Sequence, residues 1–202
     1  MQIIDISKDI TKCDIYPGDP DVSLEVVSAL RMGDSCNLSA IHTGLHNGTH
    51  ADAPLHFIDG GDSIEKADLD AFIGDCYVIE APEGPITGEF VNKNFPEKAK
   101  RVLVKSHGKA WFMDSAAEEI AYMGIKLIGT DSLSVGIHGN QTLPHRAFLR
   151  ENVAIIENLD LENVKPGRYF LLAQPLKIGG AEAAPLRAVL LADMIFWSGS
   201  KA

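Results

Sequence analysis

Four of the seven histidines in this 202-residue sequence fall between His42 and His56. The stretch His46-Asn47-Gly48-Thr49-His50-Ala51-Asp52-Ala53-Pro54-Leu55-His56-Phe57 sets three imidazoles and a carboxylate within eleven residues. Imidazole nitrogen and carboxylate oxygen are the ligands that zinc and manganese take in hydrolytic sites. His46, His50, Asp52 and His56 all carry even numbers, and in extended chain residues two apart face the same way. A straight strand nevertheless fails, because ten steps of about 3.3 Å would part His46 from His56 by about 33 Å. Ligands of one ion sit about 2 Å from it. The chain must therefore bend, and Gly48 and Pro54 are the residues that permit it. Gly48, Thr49 and Pro54 together make a helix here unfavourable.

A hydrolytic site with two ions needs more ligands, above all a carboxylate able to bridge. The later chain offers His145 and Glu157. His145 opens a predicted helix, and Glu157 ends the apolar run Val153-Ala154-Ile155-Ile156. A charge at the end of a buried strand lies either at the surface or in a site, and spacing alone does not choose between them. His42, His107 and His138 read as ordinary histidines, with His42 the best spare for the same cavity. Asp131 is a supporting acid at most. Arg187 reads as a fold anchor through an ion pair, and Trp111 and Trp197 as core or interface aromatics.

The elements that must position these groups are mostly strands. Short runs rich in Val, Ile and Leu, bounded by Gly, Pro or Asp, predict strands at 3–6, 24–30, 38–43, 76–81, 101–105, 125–129, 153–157, 169–173 and 188–192. The clearest helix is 116–123, with Ser115 as cap, Glu118 completing a capping box and Gly124 as stop. Shorter helices are expected at 145–150, after Pro144, and at 69–73. This order suggests one mixed, strand-rich α/β domain over residues 1–202 rather than a regular βαβ repeat.

Composition narrows the partners. Hydrophobic residues make up 46% and charged residues 23%, which suits a chain that buries a real core and excludes general disorder. A net charge of -10 repels phosphate backbones, so nucleic acid is not an expected partner. No apolar run approaches the ~18 residues of a membrane span, and MQIIDISKDI carries acids where a secretory leader carries bases. Three cysteines, Cys13, Cys36 and Cys76, form no CxxC pair and read as small buried hydrophobes in a reducing compartment, hence the cytoplasm.

The stretch HNGTHADAPLHF resembles the HxGTHxDxPxHF signature of the cyclase-like metal hydrolases, a family that includes bacterial kynurenine formamidases and isatin hydrolases. Tyr16-Pro17-Gly18-Asp19 resembles that family's N-terminal aromatic-PGD turn. The segment 143–149 followed by Ile155-Ile156-Glu157 resembles its second ligand region, and Pro185-Leu186-Arg187-Ala188-Val189 its P-x-R-A-V segment. The resemblance implies a swivelling β/β/α fold assembled as a homodimer or homotetramer. It implies two divalent ions, for which zinc is the leading identity and manganese the alternative. His46, His50 and Asp52 would hold one ion and His145 the other, while Asp52 and Glu157 would contact both. His56 would be the general acid/base, and Tyr16 would stack on the substrate. The implied activity is cleavage of a small-molecule amide C–N bond by a metal-activated hydroxide, an arylformamide such as N-formylkynurenine being the first candidate. Two alternatives stay open: a lyase or cyclase using the same ions as Lewis acids, and a non-catalytic member that binds metal or ligand only. Phe57 and the pair Gly179-Gly180 are further candidates for shaping the pocket.

Overall fold

Runs of Val, Ile and Leu become the buried centre of one curled sheet. In the computed structural model, which describes residues 1–192, the strands are β1 Gln2–Asp5, β2 Ser23–Ser28, β3 Leu38–His42, β4 His50–Asp52, β5 Ile73–Glu80, β6 Gly84–Ile86 and β7 Arg101–Lys105. They continue with β8 Ala110–Phe112, β9 Leu127–Thr130, β10 Ala154–Glu157, β11 Gly167–Leu172, β12 Ala183–Pro185 and β13 Val189–Ala192. The helices are α1 Leu69–Phe72, α2 Gly88–Asn94, α3 Asp114–Tyr122 and α4 Thr142–Arg150. Trp197 lies outside the described residues.

Among the described residues nine strands form the main sheet, in the order β1-β13-β11-β5-β7-β9-β10-β4-β12. Its centre, β5-β7-β9-β10, is parallel. The strands that flank this centre on both sides are antiparallel. Parallel neighbours need crossovers, and α2, α3 and α4 lie in the crossovers that lead into β7, β9 and β10. Parallel strands are buried on both faces, and alternation along them divides the core in two. Leu103, Leu127, Ile156 and Ala51 pack on one side with Ile6, Phe72, Leu171 and Leu190. Val102, Val104, Ile128 and Ile155 pack on the other with Val91 of α2, Ile120 of α3 and Phe148 of α4. The site forms on this second, helix-covered side.

Two details depart from expectation. Helix α3 begins at Asp114 after Met113, without a side-chain cap. Ser115 sits inside its first turn, and the Ser115 hydroxyl accepts the Gly88 N–H at 3.2 Å, so no capping box forms. Of the three cysteines only Cys76 is buried; Cys36 is exposed, and all three are free thiols.

Candidate metal centre

The bend that the histidine stretch requires is present. Gly48 adopts φ +69 with Ile10 packed where a side chain would begin, 3.2 Å away. Left-handed backbone and close approach both favour glycine. On either side of it the chain is tied down. Asn47 Nδ2 donates to the Pro20 carbonyl at 2.8 Å, and Thr49 Oγ1 donates to the Asn158 carbonyl at 2.7 Å. Residues 50–52 then run as β4, and Pro54 starts a short 3-10 turn that ends at His56. Only His50 and Asp52 share a strand face; His46 and His56 return to the same point from the two bends.

Pairing supplies the rest. β4 lies antiparallel to β10, with His50 directly opposite Glu157 and Asp52 opposite Ile155. Residues opposite each other across such a pair project from the same face, so His50, Asp52 and Glu157 emerge together. Helix α4 closes over them. Its buried face carries His145 with Phe148 and Leu149, at i, i+3 and i+4. His145 therefore lies in the second turn of its helix, buried, rather than at the helix start.

The donor atoms converge. His46 Nδ1 lies 3.1 Å from Asp52 Oδ1, His50 Nε2 lies 3.5 Å from the same oxygen and 3.4 Å from Glu157 Oε2, and His145 Nε2 lies 3.4 Å from Asp52 Oδ2 and 3.1 Å from Glu157 Oε1. Four ligands placed tetrahedrally at about 2.0–2.1 Å from zinc are separated by about 3.3 Å, which is the spacing seen here. His46, Asp52 and His56 form one set able to hold an ion, and His50, Asp52 and Glu157 another, with ligand atoms within 4.8 Å of one another in each. Asp52 belongs to both sets. Although the Asp52 side chain is 0% exposed, neither of its oxygens has a hydrogen-bond partner, and the same is true of the buried His46 Nε2 and His50 Nε2. A buried carboxylate without a well-formed hydrogen bond, faced by imidazole nitrogens at 3.1–3.5 Å, is costly without a cation, so the donor set fits divalent cations.

Backbone groups orient the ligands. His50 Nδ1 donates to the Gly48 carbonyl at 3.0 Å and His145 Nδ1 to the Gln141 carbonyl at 2.7 Å. That keeps the proton on Nδ1 and turns Nε2 toward the centre. Glu157 Oε1 accepts the Val135 N–H at 2.6 Å. In the metal-free protein burial pushes the His145 imidazole down, but Asp52 and Glu157 outweigh it and hold it up at about 10. The same balance raises His50. Asp52 is held well below the usual carboxylate range, its histidine neighbours overcoming its burial. Burial pushes His56 the other way, to about 4, against the pull of Asp52.

The cluster opens into a cavity of about 270 Å³ that receives His46, His50, His56, His145 and Glu157, with Tyr16 and Phe57 as aromatic walls. Tyr16 reaches it from a β-turn in which Asp19 N–H bonds the Tyr16 carbonyl at 3.0 Å and Gly18 takes φ +103. Pro followed by left-handed Gly is what the centre of a type II turn requires. Phe57 packs on His145 with ring centroids 4.4 Å apart, and Arg146 Nε holds the Phe57 carbonyl at 3.0 Å. A larger cavity of about 540 Å³, bounded by Asp5, Lys8, Leu176 and Arg187, contains none of the ligand atoms.

The remaining expectations divide. His42 is exposed on β3 and pairs with Glu25 at 3.0 Å, away from the cavity. His107 pairs with Glu162 at 2.9 Å. Arg187 pairs with Asp5 in an exposed ion pair. Asp131 supports no ligand. Its carboxylate instead accepts the backbone N–H groups of Ser106, His107 and Gly108 at 2.8–3.2 Å, together with the Ser106 hydroxyl at 2.7 Å. Gly179 and Gly180 do not line the cavity; Gly180 N–H donates to Glu65 at 3.1 Å. Two residues lie near the site that the sequence did not assign to it, Glu182, which it did not single out, and His138, which it read as an ordinary histidine. Glu182 Oε1 lies 3.6 Å from His46 Nε2, and its only sequence signal is an acid placed directly before β12. His138 Nδ1 lies 2.8 Å from the Tyr16 hydroxyl, across a sequence gap that no local pattern spans.

Comparison with known proteins follows the same lines. Residues 4–136 match the family described as "Putative cyclase". A kynurenine formamidase of Delftia acidovorans is 40% identical over 190 residues, spanning 88% of this chain and 91% of its own length. Another, from Salinibacter ruber, is 36% identical over 207 residues, spanning 94% and 97%. Among solved structures, one described as a predicted metal-dependent hydrolase from Bacillus stearothermophilus superposes with a TM-score of 0.80 at 27% identity, over 94% of this chain and 97% of that one. Isatin hydrolase A from Labrenzia aggregata, with a TM-score of 0.77 at 20% identity over 94% and 93%, shares the fold.

Proposed function

This chain belongs to the cyclase family, and from that footing we propose that it cleaves the C–N bond of a small arylformamide, N-formylkynurenine being the first substrate to try. It is a hydrolase, and its relatives named kynurenine formamidase support that substrate. The observation that carries the reading is Asp52, fully buried with both oxygens unpartnered and three imidazoles within 3.5 Å.

His46, His50 and Asp52 would hold one divalent ion and His145 a second, with Asp52 and Glu157 reaching both. The histidine-rich set suits zinc, and the carboxylates also suit manganese. Bound ions would supply Lewis acidity, polarising the formyl carbonyl and lowering the pKa of water from 15.7 toward ~7. The protein does the remainder. His56, held down to about 4 by its burial, is neutral near pH 7, and a neutral imidazole keeps one ring nitrogen able to accept a proton. It takes one from the attacking water and returns it to the departing aryl nitrogen, so that the C–N bond breaks to a free amine and formate. Such proton transfer is worth typically ~10²–10⁴-fold in rate. Tyr16 and Phe57 flank the aromatic ring of the substrate and keep water from it.

The test is metal analysis paired with a formamidase assay. Asp52→Ala is expected to lose both metal and turnover. His56→Ala is expected to keep the metal while turnover falls by about 10²–10⁴-fold. Full metal loss in His56→Ala would make His56 a ligand, as its place beside His46 and Asp52 allows. Metal retained by the wild type without turnover on any amide would move the protein to the lyase or binding reading.

We also read the chain as a homodimer or homotetramer, joined through the β2–β3 hairpin. Leu24, Val26, Val27, Leu30, Met32, Leu38 and Ile41 are 49–73% exposed, and none belongs to either core cluster. A second copy covering them would bury roughly 700 Å² per side, close to the ~800 Å² of a standard interface. No helix among the described residues is long and apolar enough to cross a membrane. Three free thiols support a reducing compartment such as the cytoplasm.

A further inference from the structure

The cavity over the ligand cluster is small for the work assigned to it. Its volume of about 270 Å³ falls below the ~300–1,000 Å³ of typical small-molecule sites. A second cavity of about 340 Å³ lies beside it, and the two share Tyr16, Pro17, Leu133 and Ser134 as a common wall. The second is lined further by Lys109, Trp111 and His138, and among the described residues no aspartate or glutamate lines it. That is unusual on a chain of net charge -10.

Its wall is built rather than incidental. The buried Asp131 carboxylate gathers the backbone N–H groups of Ser106, His107 and Gly108 at 2.8–3.2 Å and so fixes the loop that carries Lys109. Ser132 Oγ donates to the Ala110 carbonyl at 2.7 Å and ties that loop to the end of β9. On the other side the Tyr16 hydroxyl meets His138 Nδ1 at 2.8 Å, with the two rings 5.6 Å apart. A tyrosine hydroxyl that donates to Nδ1 leaves the imidazole proton on Nε2, which makes that nitrogen a donor toward an anion. Lys109 Nζ has Glu83 at 3.5 Å, but both side chains are well exposed, and such a pair is weak enough for a ligand to displace.

We propose that this second cavity is the subsite for the non-reacting arm of the substrate, and that Lys109 and His138 receive a carboxylate on that arm while Trp111 covers its hydrocarbon. The inference rests on the arylformamidase reading above. It makes the Tyr16–His138 pair the divider between the reacting formamide and the charged arm, and it makes His138 a specificity residue.

The experiment separates the two claims. Steady-state kinetics on the metal-loaded enzyme would compare N-formylkynurenine with 2-formamidoacetophenone, which keeps the aryl formamide and lacks the amino-acid arm. Lys109→Ala and His138→Ala are expected to raise KM at least about tenfold more for the carboxylate-bearing substrate than for the neutral one, the size of a hydrogen bond to a charged group, with kcat changed much less than KM. Penalties equal on both substrates would overturn the subsite. Equilibrium binding of kynurenine and of 2-aminoacetophenone to the same proteins reads the subsite without turnover. Kynurenine binding weakened about tenfold more than 2-aminoacetophenone binding would keep the subsite even if neither formamide were cleaved, and only the hydrolytic reading would then fall. Equal binding changes would overturn the subsite even in an active formamidase.

Discussion

His50 and His145 are oriented by the same device, an Nδ1–H spent on a backbone carbonyl so that Nε2 faces the carboxylates. The cost appears when no ion is bound. His145 is then held at about 10, above its ordinary 6.5, so its contribution to stability is complete below 6.5 and is lost as pH rises toward 10. Glu157 is held at about 2, below its ordinary 4.5, so its contribution is present above 4.5 and lost as pH falls toward 2. The metal-free protein should therefore be most stable, as far as these groups decide, between about pH 4.5 and 6.5. Ligand histidines must be neutral to bind. Metal uptake near neutral pH is thus expected to release protons and to tighten as pH rises from 6.5. Calorimetric titration with zinc in buffers of different ionisation enthalpy measures this, and uptake without proton release would contradict it. Cysteine behaves by the same logic of burial. The Cys76 thiol is pushed up to about 12 by its surroundings, whereas Cys36 is exposed. A thiol reagent at pH 8 is expected to modify Cys76 only after denaturation, as peptide mass mapping would show.

At the scale of elements, the turn between Pro54 and Gly61 sets where His56 sits. A methyl group at Gly61 would lie 2.7 Å from the Pro54 carbonyl carbon and 2.9 Å from both Leu55 N and Ile58 O. All three are backbone atoms, so the turn itself must move. Gly61→Ala is expected to cost about 1–3 kcal/mol and to lower turnover more than metal content, which thermal unfolding and metal analysis would check together. The elements most legible in the sequence were those made of apolar runs. The predicted strands at 101–105 and 153–157 fall almost wholly on β7 and β10, because strands buried on both faces announce themselves by composition. β4 was not legible as a strand, since two of its three buried residues are His50 and Asp52. Chemistry occupies the positions where a strand would normally show its pattern. Helix α2 was missed because only Val91 of it is buried, although Thr87 caps it by accepting the Phe90 N–H. The histidine stretch was readable because its candidate ligands are close in sequence. The sequence offered His145 and Glu157 as candidates, but only family resemblance chose them, since the register that sets Glu157 opposite His50 is a long-range fact. Glu182 offers only an acid directly before β12, and nothing local ties His138 to Tyr16.

At the scale of the whole molecule, seven of the exposed large hydrophobic side chains among the described residues gather on the β2–β3 hairpin. The hairpin β2–β3 pairs Leu24 with Ile41 across its strands and leaves both about half exposed. An isolated two-stranded ribbon is marginal in water, so a neighbour is expected on it. The double change Leu24→Lys with Ile41→Glu keeps a favourable cross-strand pair while making that face polar. Light scattering after gel filtration is expected to show a smaller assembly, with the circular dichroism of the fold retained. An unchanged assembly would remove the hairpin from the interface.

The spread of the ligands along the chain has a consequence for biosynthesis. His46, His50, Asp52 and His56 leave the ribosome roughly ninety residues before His145 and about a hundred before Glu157, which at ~5–20 residues per second is an interval of about 5–20 s. During that interval the nascent polypeptide displays an open claw of imidazoles to any passing cation, copper included, and copper outcompetes zinc wherever geometry is not yet imposed. Fidelity of metallation would then depend on the cell's supply of free ions at the moment of translation as much as on the finished site.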